Sequence, residues 1–242
     1  MVGELIRLRF AIQRHTLGWK RLLGLVLGVA AAAGTWAGTL LAAAGARADV
    51  LLLLLAVWLV GWVVGPILTS GASVLRPEYF ALLPLDRSRL GAGLLASVFV
   101  GVGAAVTTAG MLALVGYAAT VGSGPRVAAA VAVGLVGAAL LVVFTVALSR
   151  TVYALIGAAM RSHVGVEIAA IQYGLLVATL FAGWVVVWPL MDLGPPFLRD
   201  GFLGLGAGAV TAVLGWLPSG WPVRAVDAAA AGELGTALGF LG

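Results

Sequence analysis

Apolar residues in this chain fall in long, charge-free blocks. Four of them are Leu22–Ala46 (25 residues), Val50–Leu75 (26), Leu90–Pro125 (36) and Val127–Ser149 (23). A fifth, Ser162–Met191, is interrupted only near its start, by His163 and Glu167. A helix needs about 20 apolar residues to cross about 30 Å of hydrocarbon, and each block is long enough. Lipid offers backbone groups no partner, so each segment must satisfy its own N–H and C=O groups, which a helix does. Continuous runs such as Leu51–Leu55 contradict the alternating ten-residue strands of a barrel. The pattern predicts an all-α integral membrane protein whose residues 1–242 form a single transmembrane domain. Its spans are expected at 22–46, 50–75, 90–122, 127–149 and 164–190.

Composition sharpens this reading. Of 242 residues, 62% are hydrophobic and 10% charged, where a soluble domain carries about a quarter charged residues; mean hydropathy is +1.15. The pI of 10.4 would suit nucleic acid, but the basic residues cluster beside the spans, where they set topology. With the first span leaving the cytoplasm, ten of the fourteen basic residues lie inside, among them Arg7, Arg9, Arg14, Arg76, Arg87, Arg150 and Arg161. Arg47, Arg126, Arg199 and Arg224 lie outside. The net charge is then +6 inside and −1 outside, so the N-terminus is assigned to the cytoplasm and the chain to the cell membrane as a multi-pass protein. No cleavable signal peptide is read, because the first block begins at Leu22 and is too long for a signal core. The chain has no cysteine, which excludes disulfides and thiolate metal sites.

The segments between spans carry further expectations. Glu4–Lys20, within a flank of residues 1–21, reads as an interfacial helix with Leu5, Leu8, Ile12 and Trp19 on one stripe and arginines opposite. The same residues also fit an ordinary basic flank. Arg47–Asp49 and Gly122–Arg126 read as tight turns. Residues 192–232 read as an outer re-entrant or interfacial hairpin with Trp216 and Trp221 at headgroup level. Residues 233–242 read as the start of a sixth span, as in a chain cut short or half of something larger. Small-residue pairs such as Gly24/Gly28, Gly34/Gly38, Gly93/Ser97 and Gly134/Ala138 permit close helix packing, although 35 glycines make such pairs arise by chance.

The cytoplasmic stretch between spans two and three is the most informative. Pro77 stands at a favoured first helical position with Glu78 beside the positive end of the dipole. Pro84 ends the helix after about two turns, and Asp86 or Ser88 can cap the next span. The product is a short, rigid helix presenting Tyr79, Phe80 and Leu83 to the cytosol.

Catalytic motifs are missing from the sequence. The only lysine, Lys20, is followed by Arg21, so no P-loop exists, and no nucleophile elbow or HExxH is present. His163 and Glu167 share a helical face but lack a third metal ligand; with Arg161 they are expected to form an inner-rim ion pair. The spans are free of charge at mid-membrane, where ion-coupled carriers keep costly ionisable groups. Only Thr107, Thr108, Thr145, Gln172 and Tyr173 offer polarity along a substrate path. Energy for uphill transport would then enter from outside the bilayer.

"LRPEYFALLPLDRSRLGAGLL", from Leu75 onward, resembles the segment between helices two and three of type-2 ABC exporter permeases, especially large actinobacterial ones. Arg150 through Arg161-Ser162-His163-Val164-Gly165-Val166-Glu167 and Leu217-Pro218-Ser219-Gly220-Trp221-Pro222 look similar to further stretches of that family. The resemblance implies a permease subunit, not itself an enzyme, paired with a separate ATPase that binds ATP and Mg. It implies an ATPase-coupling role for Pro77, Glu78, Tyr79, Phe80, Leu83, Pro84, Asp86 and Arg87, and outer re-entrant helices at 197–230. It also implies a second permease half or a homodimer partner, surrounding membrane lipids and no nucleic acid. Two other readings stand beside it: a membrane-embedded lipid-modifying enzyme, which would need the Arg161/His163/Glu167 cluster, and a non-transporting membrane scaffold.

Overall fold

The structure, a computed structural model, describes residues 19–68, 99, 101–159 and 165–242. Every regular element among them is α-helical. Among the described residues, four helices are long and apolar enough to cross a membrane, or five if one bent pair counts as a span. Large apolar side chains stand exposed on their outer faces, including Leu22, Val26 and Val29 on the first and Leu135, Leu140 and Val143 on the fourth. So continuous an apolar surface is compatible with a lipid surrounding.

Helix α1 (Trp19–Leu41) is followed by α2 (Arg47–Leu68). The turn between them is made by Ala42–Ala46, so Arg47 and Asp49, expected to form it, occupy the first turn of α2. A carboxylate is favoured beside exposed N–H groups at a helix start, and Arg47 Nε donates to the carbonyl of Ala42 at 3.1 Å. Helices α3 (Val102–Met111) and α4 (Ala113–Val121) together make one span, with a slight break at Leu112.

Two elements run further than expected. Helix α5 covers Arg126–Ala159, ten residues past the expected end at Ser149. Between Ser149 and Gly157 no proline or glycine intervenes, and an arginine at a membrane boundary extends its head toward water without ending a helix. Helix α6 covers Gly165–Gly204 and passes through Pro189, Pro195 and Pro196, beyond the end expected at 190. Proline removes a ladder bond but keeps a helical φ. The break comes instead at Gly201, whose φ of 66° and ψ of −166° only glycine adopts freely.

Beyond that break, α7 (Gly208–Trp216) crosses the end of α6 at 82°. Helix α8 (Trp221–Ala231) then runs antiparallel to α5: Gly232 lies by Arg126, Gly134 faces Val226, and Gly137 faces Pro222. Gly137 is eleven residues past Arg126, about 16 Å along the axis. The α7–α8 tip therefore lies well below the helix ends. Gly232 (φ 92°) closes α8: its N–H bonds to Ala229 and that of Glu233 to Ala228, the Schellman arrangement. Helix α9 (Leu234–Gly239) turns back, and Leu241 comes beside Gly137.

The main core joins Leu51 and Leu55 of α2, Met111, Leu114 and Tyr117 of α3–α4, Leu141 and Val142 of α5, and Val223 and Val226 of α8. Indoles bolt the first three spans together. Trp36 fills a notch over Gly116 and donates to Ala109 O at 2.8 Å. Trp58 fills one over Gly110 and donates to Thr35 Oγ1 at 3.0 Å. Of the small-residue pairs, Gly28 lies against Val106 and Gly134 against Leu114 O and Ala118, so both serve helix packing.

Candidate functional site

The eight coupling residues from Pro77 to Arg87 lie outside the described residues, as do Arg161 and His163. Glu167 stands exposed in the first turn of α6. Three hydroxyls expected along a substrate path close on their own helices. Thr107 is buried; it donates to Gly103 O at 2.8 Å and accepts from Trp62 Nε1 at 2.9 Å. Thr108 is exposed and donates to Ala104 O at 2.8 Å. Thr145, fully buried, donates to Leu141 O at 2.8 Å. Tyr173 is exposed, and the side chain of Gln172 is outside the described set. No hydrogen bond among the described residues links one of these side chains to another. Thr107 works as a packing partner for Trp62.

Polar groups that sequence reasoning passed over gather at the other end, around the α7–α8 hairpin. Asp49 is buried at 7% exposure. Its Oδ2 accepts the backbone N–H of Phe202 at 2.8 Å and its Oδ1 accepts the Thr211 hydroxyl at 2.8 Å. The chain comes this close because Gly201 has no side chain; a Cβ there would stand 2.5 Å from Asp49 Oδ2. Ala43 N–H donates to Leu198 O at 2.9 Å, and Phe197 packs on Phe202 with ring centroids 4.7 Å apart. Together these ties clamp residues 197–211 onto the α1–α2 turn. Both oxygens of a desolvated carboxylate are occupied, the condition under which burying one is tolerable.

A second set fixes α8. Tyr117 donates to Asp227 Oδ1 at 2.6 Å. The Arg224 guanidinium sits 5.1 Å over the Trp216 ring in a cation–π contact, filling the space left by Gly215. Trp221 Nε1 donates to Trp216 O at 3.0 Å. Loss of solvent pushes the Asp227 carboxyl above the ordinary carboxylate range, against the Tyr117 hydrogen bond and the Arg224 charge. On the rim, Arg199 pairs with Asp200 at 2.9 Å, an exposed pair of small energetic weight.

Asp49 and Asp227 are each engaged by donors, and among the described residues there is no group of three or more His, Cys, Asp or Glu that could hold a metal ion. The signal in the sequence was faint: Asp49 is an acidic residue at the junction of two apolar blocks, and its partner Thr211 stands 162 positions away. One polar atom at the hairpin tip is unpaired: Ser219 Oγ is buried without a partner among the described residues. An unsatisfied buried hydroxyl costs about 1–3 kcal/mol, so Ser219→Ala should leave the unfolding midpoint unchanged or raise it. A clear drop in thermal scans would show that the hydroxyl is engaged.

Comparison with protein-family models, curated proteins and solved structures gave no match to this chain.

Proposed function

We propose that the chain is the transmembrane permease subunit of an ATP-driven exporter, moving a hydrophobic or amphiphilic substrate across the cell membrane. A separate cytoplasmic subunit of the ATP-binding cassette type would bind ATP and Mg and press on the Pro77–Leu83 helix. A second permease half, or a second copy, would complete the pathway. In this orientation the α1–α2 turn and Arg126 lie at the outer boundary, and the α7–α8 hairpin dips into the membrane from outside. Its tip, opposite Gly137, would sit about 16 Å below that boundary. Trp216 and Trp221 would then lie deeper than the headgroup level expected from sequence.

One observation carries this reading: a helical hairpin clamped by Asp49 and Tyr117 spans the region where the resemblance implies outer re-entrant helices. The closed hydroxyls of Thr107, Thr108 and Thr145 also fit a permease driven from outside the bilayer. Purification with the ATPase that drives it tests the proposal. Alanine at Phe80, Leu83 and Asp86 together should abolish stimulation of ATP hydrolysis by the permease while shifting its unfolding midpoint little. Normal ATPase binding and transport by that triple variant would count decisively against an ATP-driven role.

A further inference from the structure

Helix α8 has two unlike faces. Pro222, Val223, Ala225, Val226 and Ala229 are buried. Trp221, Arg224, Asp227, Ala228 and Ala231 recur every three or four positions on the opposite side. Trp221, Asp227 and Ala231 are exposed there, and Arg224 and Ala228 are half-buried. Two of the five are ionisable. The Arg224 guanidinium lies 5.1 Å over the Trp216 ring, which leaves N–H groups at its edge to be solvated. Asp227 turns one oxygen to the Tyr117 hydroxyl and, being exposed, keeps acceptor sites on its other side.

Depth makes this stripe unusual. Pro222 faces Gly137 and Val226 faces Gly134 on α5, so Arg224 stands level with Leu135 and Val136, about 12–16 Å past Arg126. At that level the outer surface of α5 is bare hydrocarbon, with Leu135 54% and Val136 49% exposed. One depth thus carries an apolar surface on α5 and a charged one on α8. Lipid suits the first and is a costly setting for the second, because ionisable groups within a membrane face protein interior or water. The turn into α8 points the same way. Leu217 is exposed and extended, and non-helical backbone at such a depth is tolerated where it lines water or is buried in protein. We propose that the α8 stripe is one wall of a water-filled vestibule, open to the outer side and reaching down to Arg224. Trp216 and Trp221, both exposed, supply the amphipathic rings that an edge between water and lipid favours. This assignment uses the membrane orientation given above and does not depend on ATP-driven transport. In a permease, a polar head group moving outward would meet water about halfway across the ~30 Å of hydrocarbon.

The chain has no cysteine, so single introduced cysteines report without background. Arg224→Cys, Ala228→Cys, Leu135→Cys and Val136→Cys are made one at a time in the full chain and placed in sealed, right-side-out vesicles without ATP. A charged, membrane-impermeant methanethiosulfonate is added outside, and the rate of modification is measured. Arg224→Cys and Ala228→Cys should react at least about tenfold faster than the two α5 variants, since only the thiolate reacts and an apolar setting raises the thiol pKa by a unit or more. Ala228→Cys is a small change and guards against misfolding of Arg224→Cys. Ser123→Cys in the exposed turn before α5 should be modified, and Glu167→Cys at the start of α6 should not; the reverse would overturn the outward opening. Equally slow reaction at all four sites would overturn the vestibule, because lipid or another protein surface then covers the stripe. Equally fast reaction would overturn it too, because the hairpin and this part of α5 would then lie outside the lipid altogether.

Discussion

Replacing Asp49 by alanine should lower stability by about 3 kcal/mol, because hydrogen bonds to a charged acceptor are worth about 1.5–3 kcal/mol each and two are lost. The Phe202 N–H and the Thr211 hydroxyl would be left facing the α1–α2 turn without an acceptor. In a lipid setting water is not at hand to replace it. Asp49→Asn retains one carbonyl oxygen and should cost about half as much. The loss should be local as well as global: residues 197–211 should become cleavable by protease before the main core melts, since what then holds the segment at the α1–α2 turn is one backbone bond and the packing of Phe197 and Leu198 against Ala42, Ala46 and Val50. Thermal unfolding followed by near-ultraviolet circular dichroism, with limited proteolysis in parallel, measures both. An Asp49→Ala protein as stable and as protease-resistant as the wild type would mean that the carboxylate does not hold the hairpin.

Gly220→Val should be at least as damaging, for a steric reason. Gly220 sits where α8 starts against the end of α7, and a Cβ there would overlap the Leu214 carbonyl oxygen. It would also stand 2.8 Å from Gly215 Cα and 3.0 Å from Leu52 Cδ2. Two of these neighbours are backbone atoms of the preceding helix and cannot swing aside, so α7 and α8 must separate. Overpacking of this kind costs about 1–3 kcal/mol, and more when backbone has to move. Gly45→Ala is the matched control, because a Cβ at Gly45 meets nothing within 4 Å. Equal unfolding midpoints for the two variants would refute the close approach at the tip.

How legible these features are in the sequence depends on their range. The spans are visible because lipid imposes a local rule, about twenty apolar residues in a row, that can be checked along a single stretch. Their ends are less visible, because a charge or a proline looks the same in sequence whether a helix stops there or continues. Asp49 belongs inside a helix whose first turn it stabilises, α5 continues past Arg150, and α6 passes three prolines before Gly201 breaks it. The anchoring groups were illegible for another reason. Tyr117 and Asp227 are 110 positions apart, and nothing local to either announces the other. Thr107 was visible as a polar residue in an apolar span, but its use, accepting from Trp62, depends on which helix lies opposite.

The indole bolts have a consequence for how the molecule can move. Trp36, Trp58 and Trp62 each donate to one fixed acceptor on a neighbouring helix, and two of them sit in glycine notches. Sliding one helix past another by a single residue, about 1.5 Å, would unseat a ring and break its bond at once. Shear among α1, α2 and α3–α4 is thus blocked, and these helices are confined to swinging as one slab. Rearrangement of the chain is left to the seams where no such ring is seated.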